Sequence, residues 1–262
     1  MITSTSNPLI KRVRKLKSRK GRRAEGSYFA EGVRVFISAV EAEAPVETII
    51  YCPELLTSQV ALENISTQQA AGVRCVETSA KVFQSISSRD HPFGIGAILS
   101  DSMVKLSDLV VEPHSVYVSI LDAAEPGNVG TIIRTIDASG ASGLILIGQG
   151  TDPYHPSSVK ASMGALFNLP VCQVEKPERL LDWSKEEGLE IIATSAHAEQ
   201  PYDQVEYHLP AVILLGSERE GLPAKLLAKA DLAVSIPMRG TASSLNLAVA
   251  AGLILYEVSK HA

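Results

Sequence analysis

The chain has little cysteine, few aromatic residues and no long uninterrupted apolar run. Its three cysteines, Cys52, Cys75 and Cys172, are odd in number, far apart and without a C-x-x-C pair. Core thiols in a reducing cytoplasm are therefore expected, not a disulfide framework or a zinc site. The longest apolar stretches, "AVILLG" and "LNLAVAAGLILY", are too short or too interrupted by Asn and Gly to span a bilayer, and the amino terminus lacks an apolar signal-peptide core. A cytoplasmic protein with no membrane partner is the expectation. The six histidines are scattered without metal-ligand spacing, which points away from a metal. There is no G-x-x-x-x-G-K-[ST] cradle and no G-x-S-x-G elbow, and "GLILIGQG" lacks the third glycine of a dinucleotide fingerprint; three common site types are thus disfavoured.

What is present is enough apolar material for real cores, 45% of 262 residues, in one large or two ordinary domains. The net charge of −5 hides a segregation. Residues 1–34 hold ten Lys/Arg against Glu25 and Glu31, a local +8, which leaves −13 on the remainder. The segment "SNPLIKRVRKLKSRKGRR" opens with Asn7 as a helix cap and Pro8 at the first helical position, and Leu9, Ile10, Val13 and Leu16 share one face. The other faces carry Lys11, Arg12, Arg14, Lys15, Lys17, Arg19, Lys20, Arg22 and Arg23, with no acid before Glu25. Surface helices usually mix Glu with Lys, so nucleic-acid phosphate contact is favoured over a merely solvated face. No aromatic residue interleaves with the cations, so base stacking is not indicated.

Residues 28–100 alternate helical and strand patterns: a helix near "GVRVFISAVEAEA", then "VETIIYC", a helix around "QVALENISTQQA", "VRCVET", a helix "KVFQSIS" and "GIGAILS". This reads as a small α/β domain, placed at residues 1–106 with the basic helix. "SDSMVKLSDLVVEPHS" reads as a linker. In residues 107–262 strands are expected near 115–121, 143–147, 189–194, 211–216 and 232–236, with helices between most of them and a long last helix through "SSLNLAVAAGLILYEVSK". That is a mostly parallel sheet covered on both faces.

Ligands of such sheets bind where loops leave the carboxyl ends of strands. Three of these loops are rich in Gly and polar residues: "EPGNVGTIIR", "LLGSEREGLP" and "IPMRGTASSLNLAVAAG". Taken singly, Gly216 and Gly221 are turn glycines, and Ser243 or Ser244 is a cap for the last helix. Asn246 is harder to explain, because it is expected inside an apolar helix where a buried amide needs partners. Arg134 likewise interrupts the apolar positions Ile132, Ile133 and Ile136.

In order along the chain, N-x-G-x-x-x-R (Asn128, Gly130, Arg134), G-x-E-x-x-G-L (Gly216, Glu218, Gly221, Leu222) and I-P-M…S-L-N-x-A-V-A-A (Ile236 to Ala251) closely resemble the SpoU-type, TrmH-like RNA 2′-O-ribose methyltransferases of the SPOUT superfamily. "SVKASMGALFNLPV" resembles a fourth signature, and "NPLIKRVRKLKSRKGRR…GSYFAEGVRV" resembles the family's substrate-binding extension. Leu247 and Ala248 depart slightly from the pattern.

The resemblance implies an α/β fold with a carboxy-terminal trefoil knot, a homodimer, and S-adenosyl-L-methionine as cofactor. Backbone groups near Ser195, Gly216, Ile236, Met238, Leu245 and Asn246 would hold that cofactor. It implies that Arg134 acts on the 2′-hydroxyl, that Asn128 and Glu218 fix the guanidinium and the substrate, and that Ser244 and Asn246 order the loop. A guanidinium holds its proton too firmly to be a good base, so electrostatic orientation is the preferred role for Arg134. The implied substrate is structured RNA, with large-subunit ribosomal RNA expected and tRNA the alternative. A non-catalytic RNA-binding protein of this fold, or an α/β enzyme acting on a small molecule, are the competing classes.

Overall fold

The computed structural model describes residues 1–261 and divides into two compact units, Met1–Ser102 with Tyr154–Asn168, and Met103–Pro153 with the chain from Leu169 onward. The division falls at Ser102/Met103, not between 106 and 107, and the first unit takes in a later segment.

The first unit opens with α1 (Pro8–Leu16), which has Pro8 in its first turn and Asn7 as its cap, the Asn7 side chain accepting from the Leu9 N–H at 2.9 Å. Leu9, Ile10, Val13 and Leu16 are all buried. The basic segment is not one helix. It breaks after Lys17, and Ser18 caps α2 (Arg19–Glu25) by accepting from the Gly21 N–H at 3.1 Å. Only glycine fits at 21, since a Cβ there would overlap the Lys15 carbonyl oxygen. Next come β1 (Ser27–Glu31), α3 (Val33–Glu41), β2 (Val46–Tyr51), α4 (Gln59–Ala70), β3 (Arg74–Glu77), α5 (Ala80–Ile86) and β4 (Ile95–Ser100). The sheet order is β1-β4-β2-β3, with β4 antiparallel to both neighbours and β2 parallel to β3. The strand β1 was not expected from the sequence. α1 and α5 cover a core of Phe29, Ile50, Cys52, Phe83 and Ile98.

The second unit is built on β5 (Val116–Leu121), α6 (Pro126–Ser139), β6 (Gly143–Ile147), β7 (Val171–Val174), α8 (Pro177–Glu186), β8 (Glu190–Thr194), β9 (Gln200–Pro201), β10 (Ala211–Leu215), α9 (Ala224–Leu227), β11 (Leu232–Ser235) and α10 (Leu247–Val258), while α7 (Pro156–Ser162), which follows β6 in sequence, belongs to the first unit. Its seven strands lie in the order β7-β6-β5-β10-β8-β11-β9, every pair parallel. β5, β6 and β10 are buried along their whole length, as a parallel sheet covered on both faces requires. The segment after β4 is more than a linker: Val104 bridges to Cys172, and Leu106 and Leu109 are buried in the second unit's core with Tyr117, Trp183 and Leu214. All three cysteines are free thiols, and no helix among the described residues is long and apolar enough to cross a membrane.

Candidate active site

β5 and β10 are neighbours, yet their chains leave in opposite directions, β5 through α6 to β6 on one side and β10 through α9 toward β11 on the other. Such a reversal marks the carboxyl ends of these two strands as the place where open α/β sheets bind ligands. The first two loops leave these two strands, and the third leaves β11.

A chain of hydrogen bonds ties the three loops together. The Glu218 carboxylate accepts from the backbone N–H of Ala124 at 3.0 Å, from that of Glu125 at 3.2 Å, and from the Asn128 amide at 3.1 Å. Asn128 in turn accepts from the Asn246 amide at 2.9 Å. Asn246 is not inside the last helix but caps it, its Oδ1 accepting from the Ala248 N–H at 2.9 Å.

The direction of this chain follows from chemistry. A carboxylate only accepts, so Asn128 must turn its NH₂ to Glu218 and its oxygen to Asn246, which leaves the Asn246 oxygen for the bare N–H groups of α10. One hydrogen-bonded chain thus runs from the residues just before α6 to the bare N–H groups at the start of α10. Burial alone would push the Glu218 pKa up, but the hydrogen bonds from Ala124, Asn128 and Glu125 outweigh it and hold it below the usual carboxylate value. The Glu218 oxygens are thus committed to three donors that fix the loop after β5. The Ala124 and Glu125 N–H groups were missed from sequence. Their only sequence signal is Pro126, which opens a helix directly after Glu125, a residue type that is a poor cap.

The Glu218 loop is closed by the Gly221 N–H donating to the Ser217 carbonyl at 3.0 Å. Gly216 is required there, because a Cβ would overlap the Gly221 carbonyl carbon and the Leu222 nitrogen. Ser195, Gly216 and Ile236 each follow directly after an adjacent strand, β8, β10 and β11. Ser195 donates its N–H to the Val234 carbonyl at 3.0 Å, and its hydroxyl accepts from the His197 N–H at 3.2 Å. Ile236 and Met238 are half-buried and Leu245 is exposed. Between Ile236 and Leu245 no backbone group bonds to another among the described residues. A nucleoside needs such a setting: free N–H and C=O groups to read its edges, beside apolar side chains for its plane. The residues present fit S-adenosylmethionine.

Arg134 does not join this network. It is exposed on α6 and has no ion pair or hydrogen bond among the described residues, so Asn128 and Glu218 hold each other and not the guanidinium. Arg134 lies six residues beyond Asn128, about 9 Å along the helix. Ser244 is exposed and its hydroxyl has no partner among the described residues.

The basic segment splits by environment. Lys11, Arg14, Lys15, Lys17, Lys20 and Arg23 are exposed and Arg19 is half-buried. Arg22 and Arg12 have structural duties instead of free phosphate-facing positions. Arg22 is 5% exposed and donates to the carbonyls of Leu16 and Lys17, both at 2.9 Å, closing the carboxyl end of α1. Arg12 pairs with Glu25 and Glu47, both at 2.7 Å. Hydrogen bonds from Arg12 and Lys15 lower the Glu25 pKa. Glu47 is likewise lowered, because bonds from Ser27, Arg12 and Ser100 overcome its burial. Among the described residues, no group of three or more His, Cys, Asp or Glu is placed to hold a metal ion.

Comparison with known proteins agrees with this geometry. Residues 115–256 match the family described as SpoU rRNA Methylase, and residues 7–97 match an MRM3-like substrate binding domain. The 23S rRNA (uridine(2479)-2′-O)-methyltransferase of Streptomyces viridochromogenes is 32% identical over 92% of this chain and 85% of its own length. The 23S rRNA (guanosine(2553)-2′-O)-methyltransferase RlmP of Bacillus subtilis is 29% identical over 98% of both chains. The crystal structure of an AdoMet-bound rRNA methyltransferase from Sinorhizobium meliloti superimposes with a TM-score of 0.90 at 34% identity, covering 99% of this chain and 97% of that one. The matched region spans all three loops and the carboxylate-to-amide chain that joins them, and the chain belongs to the SpoU rRNA methylase family.

Proposed function

We propose that this protein methylates the 2′-hydroxyl of a ribose in large-subunit ribosomal RNA, using S-adenosylmethionine. The observation that carries the reading is the Glu218–Asn128–Asn246 chain, which ties together the three loops at the carboxyl ends of β5, β10 and β11. The names of relatives that match nearly end to end support the substrate class. A cytoplasmic location and a trefoil knot holding the cofactor belong to the same proposal.

When bound, the cofactor supplies an electrophilic methyl group. The chain's own part is placement. Free backbone groups of the Ile236–Leu245 loop hold the nucleoside, and the locked loops define where a ribose enters, which is worth several kcal/mol of activation free energy. Arg134, a permanent cation, orients ribose and phosphate and stabilises negative charge developing on the attacking oxygen.

The distance of Arg134 from the hydrogen-bonded chain fits a site completed across a homodimer. α10 packs on α6 and presents Val249, Leu253 and Tyr256 on one stripe, exposed at 52%, 40% and 52%. An exposed apolar stripe of this kind, on the helix that packs against the one carrying Arg134, suits a second copy of the chain. The exposed cations of α1 and α2 contact RNA phosphates.

Mapping 2′-O-methyl groups in total RNA from cells lacking the protein tests the reading. One lost methylation in large-subunit RNA, restored by the wild-type gene, is expected. Loss confined to tRNA would redirect the substrate, and an unchanged map would remove the activity.

A further inference from the structure

The first unit carries a second feature suited to RNA that the cationic helices do not explain. Phe93 stands 52% exposed in the loop between α5 and β4, and the Arg89 guanidinium lies over its ring, 5.0 Å from the centroid. The Arg89 guanidinium has no hydrogen bond or ion pair among the described residues, so the ring is its partner.

The loop is built to hold this pair. Glu31 accepts from the Ser87 hydroxyl, from the Ser88 N–H at 2.8 Å and from the Ser88 hydroxyl at 3.0 Å. The Arg89 N–H donates to Ser87 Oγ at 2.9 Å, and Gln84 donates to the Asp90 carbonyl at 2.8 Å. Directly after Phe93, Gly94 has a φ of +72° and packs so closely that a Cβ would stand 2.7 Å from Leu55 Cβ. The ring is therefore exposed on an ordered mount, with little entropy left to lose on binding.

Further cations reach the segment that carries Arg89. Lys17, at the end of α1, donates to the Ser87 carbonyl at 3.0 Å, and Arg14 donates to Ser85 Oγ at 2.9 Å. Lys17, Arg89 and Lys160 of α7 line one small cavity with Ser88 and Glu31, and Lys160 is exposed with no partner among the described residues. An exposed aromatic plane with cations on the same loop and beside it is the arrangement that binds unpaired nucleic acid, by stacking a base and neutralising neighbouring phosphates.

We propose that Phe93, backed by Arg89, is a stacking platform for one unpaired base of the RNA, with Lys17, Arg89 and Lys160 meeting the flanking phosphates. This rests on the reading that the protein acts on RNA. The platform would let the first unit prefer a looped RNA over a continuous duplex, a discrimination that phosphate contacts alone do not provide.

The test measures binding of the full-length protein, across a range of salt, to a fluorescein-labelled RNA hairpin with an unpaired loop and to a fully paired duplex of the same stem. Phe93→Ala is expected to weaken hairpin binding about tenfold with the salt slope and duplex affinity unchanged, while Phe93→Trp keeps hairpin affinity. Lys160→Gln is expected to make the salt slope shallower on both RNAs. Hairpin binding by Phe93→Ala equal to wild type, or an equal loss on hairpin and duplex, overturns the platform while leaving the RNA reading intact. Wild-type protein that binds neither RNA and methylates no ribosomal RNA overturns both. Because Phe93 is half-exposed, its variants should melt with wild type by circular dichroism.

Discussion

The Asn246 amide donates to Asn128 Oδ1 at 2.9 Å while its own oxygen caps α10, so one side chain both starts the last helix and ties it to the loop after β5. These duties are separable by mutation.

Asn246→Ala should lose both, with the cap alone costing roughly 0.5–2 kcal/mol. Asn246→Asp retains an acceptor for the helix but faces Asn128 Oδ1 with another acceptor, and Asn128 cannot flip without abandoning Glu218. Unfolding curves and single-turnover methylation should therefore part company: Asp stays near wild-type stability, yet both variants lose activity. Full activity in the Asp variant would reduce Asn246 to a helix cap.

Glu218 has its pKa lowered by its donors. A depressed carboxylate contributes stability that is fully present above its unfolded pKa and fades as pH falls through the folded one. Below about pH 4.5 the wild type should lose stability partly through this group. Glu218→Gln should be less stable near neutrality by about 1–3 kcal/mol, since an amide cannot accept from all three donors. The gap should narrow as pH drops, and chemical unfolding at several pH values reads it. A constant gap from neutral to acid would show that ionisation of Glu218 is immaterial.

Arg134→Ala should abolish methyl transfer with cofactor affinity intact and stability within about 0.5 kcal/mol of wild type, as expected for an exposed side chain without partners. Arg134→Lys should also fail, because an ammonium lacks the planar fork. If Arg134 serves the partner's site, mixed dimers of Arg134→Ala with Asn246→Ala chains contain one site built wholly from intact residues, and activity returns. No recovery in a verified heterodimer would place Arg134 and Asn246 in the same chain's site.

Leu253→Glu puts a charge in the centre of the exposed α10 stripe. Sedimentation should then show monomers, with near-native melting and no methylation. A variant that sediments like wild type would move the dimer interface elsewhere.

Within the basic segment, reversing Lys11, Lys20 and Arg23 should flatten the salt dependence of RNA binding by roughly 0.7 to 0.9 for each phosphate no longer neutralised, without changing stability. Arg22→Gln should do the opposite, lowering the melting temperature while leaving the slope. Equal slopes in all these proteins would mean that this face does not touch RNA.

Local pattern made much of the architecture legible. α4 occupies the residues its pattern predicted, and Asn7 and Pro8 open α1 as expected, because caps and apolar periodicity act over a few residues. The five expected strands of the second unit are all present, whereas β7 was not expected and two-residue β9 is too short to leave a pattern. The order of three motifs was enough to identify a family. Other features are decided only by the fold. Glu218 lies 90 residues from Asn128, and Asn246 lies 118 from it, so no local rule shows that they form one hydrogen-bonded chain, or that Arg134, beside Asn128 in sequence, stands outside it. The same holds for Arg22, expected as a free cation and found spent on α1's carbonyls, and for Arg89 with Phe93, which share a ring contact that composition does not reveal. Local sequence sets which backbone conformations are cheap; which polar groups lose water, and to which partners, is settled only when distant segments pack together.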